Sequence, residues 1–156
     1  MSFYLGIDPG LSGAWALLNR HGEFVAADDL PIIRDQSTAW IDGPALADAI
    51  RMHLILSPPG RAIVERVKAM PKQGVSSTFT FGCAFGSVLP TLQHLSFSIE
   101  FVTPGVWKRE IGVTADKQSS LDKARLLFPT ASLKRVKDNG RAEALLLAYH
   151  GWRTRA

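Results

Sequence analysis

The chain has 156 residues, 46% hydrophobic and 21% charged, an ordinary globular balance that excludes a mainly disordered protein and is enough for one domain, residues 1–156, burying about two-thirds of its unfolded surface. No run is expected to supply the roughly 20 apolar residues of a membrane span, and Met1-Ser2-Phe3-Tyr4 lacks the basic start of a signal peptide. The formal net charge is +4, which by itself excludes little.

In chain order, Phe3 to Ile7 is an apolar run ending at Asp8, and Pro9-Gly10-Leu11-Ser12-Gly13 turns it into a second run, Ala14 to Leu18. Gly22 turns again into a third strand at Phe24-Val25-Ala26, which predicts an antiparallel meander. Ala39 to Leu56 has apolar residues at helical spacing and is stopped by Pro58-Pro59-Gly60. A short strand, Ala62-Ile63-Val64, ends in Glu65. A polar loop then leads to a helix from about Ser76 to Thr91, with Gly82 and Gly86 one turn apart. Phe97 to Val102 reads as a fifth strand. Helices are predicted over Thr103–Ile111, Ser119–Phe128 and Asp138–Trp152. Strands first, then alternation, then helices is an α/β plan with a mixed sheet.

Charge is uneven along this plan. Residues 1–102 carry 7 basic and 9 acidic side chains, whereas residues 103–156 carry 11 basic and 5 acidic. A basic last third fits either a polyanion such as nucleic acid or a solvated surface. Cys83 is the single cysteine, so no internal disulfide forms and a reducing, cytoplasmic setting is expected.

Three acidic positions carry the functional argument. Asp8 and Glu65 each end an apolar strand, where an uncompensated carboxylate costs several kcal/mol or takes up a proton. Asp8 before Pro-Gly also suits turn initiation. Two strands ending alike point further, to divalent cations that take hard oxygen ligands. The third is Glu143, in Asp138-Asn139-Gly140-Arg141-Ala142-Glu143-Ala144-Leu145-Leu146-Leu147-Ala148. Asn139 and Glu143 share a helix face. Asp138 can serve as a helix cap, or be aimed back toward Glu143 by the Gly140 turn.

Gly6-Ile7-Asp8-Pro9-Gly10-Leu11-Ser12-Gly13, then Ile63-Val64-Glu65-Arg66-Val67, then Arg141 to Ala148, in this order, resemble the RuvC-type Holliday-junction resolvases, especially the compact forms of phages and prophages. The resemblance covers nearly the whole chain. It implies a ribonuclease-H-like α/β fold, a five-stranded mixed sheet flanked by helices. It also implies a homodimer acting on branched DNA, above all four-way junctions, in a bacterial cell or phage-infected host. By resemblance Asp8, Glu65 and Glu143 are catalytic metal ligands for two Mg²⁺ ions, with Mn²⁺ as a substitute. Such ions, about 4 Å apart, activate water and stabilise the leaving oxygen.

The departure lies before Glu143, where Gly140 and Asn139 stand at positions that relatives fill with Asp. Either Asp138 takes over as catalytic ligand, or Asn139 supplies a neutral oxygen; an engineered Asp-to-Asn change at 139 is a third reading. The segments around Trp107-Lys108-Arg109 and Asp116-Lys117 resemble the family's phosphate-contacting stretch, which makes Lys108 and Lys117 catalytic candidates. Lys68, Met70, Lys72, Arg109 and Arg141 join them as DNA-contacting candidates, with Met70 in the loop where the family inserts a wedge. The helix with Gly82 and Gly86 resembles the dimerisation helix. Trp15, Trp40, Trp107 and Trp152 are read as packing residues. A junction-binding module without cleavage, and a ribonuclease-H-type nuclease of RNA/DNA hybrids, are the competing readings.

Overall fold

A computed structural model of the chain describes residues 3–54, 58–68, 72 and 74–155. The first three strands, β1 (Tyr4–Asp8), β2 (Ala14–Leu18) and β3 (Phe24–Asp29), form the expected antiparallel meander. A small hairpin follows, β4 (Ile32–Arg34) with β5 (Ala39–Ile41), and then helix α1 (Gly43–Arg51). Beyond it come β6 (Arg61–Glu65), α2 (Val75–His94) and β7 (Ser98–Val102). Helices α3 (Pro104–Ile111) and α4 (Lys117–Leu127), one 3₁₀ turn (Val136–Asp138) and α5 (Asn139–Arg153) complete the chain.

The order β3-β2-β1-β6-β7 makes a five-stranded mixed sheet, with β1, β6 and β7 parallel. This is the predicted plan, a mixed sheet flanked by helices. Each face of the sheet has its own core. Leu5, Ile7, Ala62 and Val64 pack toward α1 and α2, whereas Ile63, Ala14 and Ala16 pack toward α3, α4 and α5. Side chains alternate along a strand, so Asp8 shares the α5 face with Gly6, and Glu65 shares it with Ile63.

Helix α5 lies directly on β1 because Gly6 has no side chain. A Cβ at Gly6 would sit 1.9 Å from the carbonyl oxygen of Ala144 and 2.5 Å from the nitrogen of Ala148. The buried run Ala144, Leu145, Leu146, Leu147 and Ala148 then fills the space above the sheet. Together these contacts set where Glu143 projects.

Two expectations change. The helix predicted over Ala39–Leu56 begins only at Gly43, because Asp42 caps it, accepting from the amide of Ala45 at 3.0 Å, and Pro44 occupies its first turn. Ala39 to Ile41 instead alternate buried and half-buried as a strand against β4. The second change concerns α2, which by length and composition is long and apolar enough to cross a membrane and has most of its residues outside the core. Polar Ser, Thr and Gln residues interrupt its apolar positions, and this hid the stretch in the sequence. Its exposed face holds Val75, Phe79, Gly82 and Gly86, spaced as one helical stripe.

Candidate active site

The site begins with two strand ends. Ile7 pairs with Val64 across the parallel β1–β6 ladder, so the next residues, Asp8 and Glu65, leave the same edge of the sheet side by side. Glu143 comes in from the first turns of α5. The same turns cover Asp8, since a Cβ at Gly140 would lie 3.7 Å from Asp8 Oδ2. No longer residue fits freely there, because that Cβ would also be 3.0 Å from the carbonyl oxygen of Ser12.

The three acids bear on one another's charge. Burial, then the charges of Glu65 and Glu143, push the Asp8 carboxyl up to about 7, against the opposing pull of Lys117 and Lys108. Burial also raises Glu65, which is 8% exposed, with Glu143 adding to the rise. The Trp107 indole opposes it by donating to Glu65 Oε1 at 2.8 Å. Lys108 Nζ donates to Glu143 Oε1 at 2.7 Å, with both side chains mostly buried. The hydroxyl of buried Ser120 on α4 lies 3.5 Å from the same oxygen. Three carboxylates thus bear on one another's charge where β1, β6 and α5 converge, and the Lys108 ammonium of α3 bonds one of them, Glu143.

Other candidates fall elsewhere. Asp138 does not turn back toward Glu143. Its Oδ2 accepts from the Arg135 amide at 2.8 Å, and its Oδ1 from the Arg135 guanidinium at 3.0 and 2.7 Å. The 3₁₀ turn closes this ring locally, and Arg135 holds the buried carboxyl below its usual range. The predicted ligand role thus gives way to a capping role. Arg141, expected on phosphate, is instead forked between Asp29 and Asp28 at 2.7 Å each, pinning the start of α5 to the end of β3. Asn139 is half-buried one turn before Glu143. Lys117, Arg109, Lys68 and Lys72 are exposed, and Met70 lies outside the described residues.

Sequence reasoning missed Trp107 and Ser120. Trp107 read as packing, and it is fully buried, but its ring nitrogen faces a carboxylate. Its place beside Lys108 on one short helix was the available signal. Ser120 gave none, because a serine on a helix usually faces water.

No family model matches the sequence, and no curated protein does. Solved structures do match. The chain superposes on Thermus thermophilus RuvC in complex with a Holliday junction substrate, with TM-score 0.66 at 15% identity over 99% of this chain and 96% of that one. A second Thermus thermophilus RuvC structure gives 0.58 at 16% identity, over 95% and 92% of the two chains.

The fold is that of RuvC. Among the described residues, no three His, Cys, Asp or Glu side chains are gathered so as to hold a metal ion, and Glu143 is turned to Lys108. The donor chemistry nonetheless fits a hard cation. All three acids offer oxygen, Glu65 is buried, Asp8 and Glu143 are half-buried, and burial with the neighbouring acids raises the Asp8 carboxyl.

Proposed function

We propose that the protein is a Mg²⁺-dependent, structure-selective DNA endonuclease that resolves four-way or other branched junctions. The observation that carries this reading is that Asp8 and Glu65 end neighbouring strands of a RuvC fold within electrostatic reach of Glu143, which Lys108 bonds. A related fold in Thermus thermophilus RuvC is seen with a Holliday junction substrate, which supports branched DNA as the substrate class here.

Asp8, Glu65 and Glu143 would hold Mg²⁺, or Mn²⁺ in its place. The bound metal would supply an activated water and stabilise the leaving oxygen of phosphodiester hydrolysis. Lys117, exposed and close enough to lower the Asp8 carboxyl, binds substrate phosphate as a point charge. Lys108 neutralises Glu143, and it offers a second ammonium to the scissile phosphate. Exposed Arg109, Lys68 and Lys72 extend the basic surface along DNA arms.

Two copies pair through the exposed α2 stripe, where Gly82 and Gly86 have no neighbouring atom within 4 Å of a would-be Cβ and Val75 is 88% exposed. Such a dimer presents two sites to the two strands of a junction.

A second reading has a specific observation behind it. Asp138 is spent on Arg135, and the positions just before Glu143 are Asn139 and Gly140, so the metal set has three acids rather than four. A junction binder with weak or no cleavage fits that deficit.

One assay separates these readings. Labelled four-way junction, plain duplex and RNA/DNA hybrid are incubated with the protein, each with and without Mg²⁺. Paired nicks in the junction, only with Mg²⁺, are expected. A shifted but uncut junction would favour the binding module, with Asn139→Asp then restoring cleavage. Loss of the hybrid's RNA strand would move the assignment to a ribonuclease-H-type enzyme.

A further inference from the structure

Trp107 is fully buried on α3, yet it does not behave as a simple core residue. An indole has one polar group, a donor, and burial obliges it to find an acceptor. Here the acceptor is Glu65 Oε1 at 2.8 Å. Among the described residues no other hydrogen-bond donor reaches the Glu65 side chain. The other side of the indole is also in use. Lys108 Nζ lies 5.1 Å from the ring centroid, within cation–π range, while bonding Glu143 at 2.7 Å. One rigid side chain thus touches the strand-borne acid and the ammonium that bonds the helix-borne acid.

We propose that Trp107 is a positioning residue of the site, its N–H fixing the Glu65 carboxylate and its ring face seating the Lys108 ammonium. This rests on the metal-dependent reading above and deepens it. A carboxylate at a strand end has free side-chain torsions, and a single fixed oxygen removes most of that freedom before a cation arrives. Loss of such an outer partner commonly weakens metal affinity by about 10- to 100-fold. A phenylalanine at 107 would keep a ring for packing and for Lys108 but remove the donor.

Trp107→Phe is the test, with Trp152→Phe as a control on a half-buried indole whose N–H goes to the Arg20 carbonyl oxygen. Mn²⁺ binding by calorimetry on the full chain is expected to weaken about tenfold or more in Trp107→Phe and to stay unchanged in Trp152→Phe. Metal-free junction binding is expected to be equal in all three proteins. In cleavage, kcat should fall with KM for the junction unchanged. Should Trp107→Phe not fold, the unaltered protein answers: titration with Mg²⁺ should shift the Trp107 indole N–H resonance and leave that of Trp152 in place. Equal Mn²⁺ affinity in parent and Trp107→Phe, or a Trp107 resonance indifferent to Mg²⁺ while the parent binds metal and cleaves, overturns this inference alone. A parent that neither takes up Mn²⁺ nor cleaves overturns the metal-dependent reading and this inference with it.

Discussion

Asp8 concentrates the site's tension in one side chain. Its carboxyl is raised to about 7 by burial and by Glu65 and Glu143, so the folded chain holds that proton more tightly than the unfolded chain does. The resulting stability is fully present below the unfolded value near 3.8 and is lost as pH rises through about 7. The metal-free protein is therefore expected to melt several degrees lower at pH 8 than at pH 5, equivalent to roughly 1–3 kcal/mol in a domain of this size. Asp8→Asn should remove most of that difference, as thermal melts at the two pH values would show. Asp138 has the opposite sign: Arg135 holds it low, so its contribution is present above its ordinary range and is lost only in acid as it protonates. Asp138→Ala strands the Arg135 amide and is expected to cost about 1–2 kcal/mol by denaturant unfolding. Junction cleavage should continue at close to the parent rate, the reverse of what a metal ligand would give. Sequence spacing could not separate these two aspartates. Both sit at the entry or exit of an element, and only their neighbours tell a shared acidic cluster from a private cap.

At the scale of elements, the β1–α5 contact sets the geometry of the site. The absent side chain of Gly6 lets the helix backbone touch the strand, and Glu143 is carried on that same turn. Gly6→Ala has no room to relax, because the obstructing atoms are the main-chain oxygen and nitrogen of Ala144 and Ala148. An overpacking penalty of about 3 kcal/mol or more is expected. A chain that still folds should show Mn²⁺ binding weakened together with stability, measured by calorimetry and thermal melts. Arg141 secures the same helix at its other corner through Asp28 and Asp29. Strands, turns and most helices were legible in the sequence because their apolar periods are local. The β4–β5 hairpin was not, since three-residue strands carry too little pattern to compete with a helical reading of the residues that follow.

For the whole molecule, the open question of chemistry becomes one of assembly. A stripe of Val75, Phe79, Gly82 and Gly86 on a helix with so little of its surface buried calls for a cover. Phe79 is 66% exposed, so if two copies pair as proposed, Phe79→Asp should leave the monomer fold intact and convert that dimer to monomers. Sedimentation velocity at micromolar concentration reads this directly. Paired nicking of junctions should become single, uncoupled nicks, whereas metal affinity per chain stays near that of the parent.

The order of apolar runs and the acids that end them is written locally along the chain, which is why the mixed sheet and the strand-end positions of Asp8 and Glu65 are legible in the sequence. Which cation meets which acid is not local. Lys108 reaches Glu143 across 35 positions and Trp107 reaches Glu65 across 42, while Asp138 is captured from three positions away. Such pairings depend on where helices come to rest on the sheet, and that is decided by backbone approach at Gly6 and by packing, for which one sequence holds no visible period.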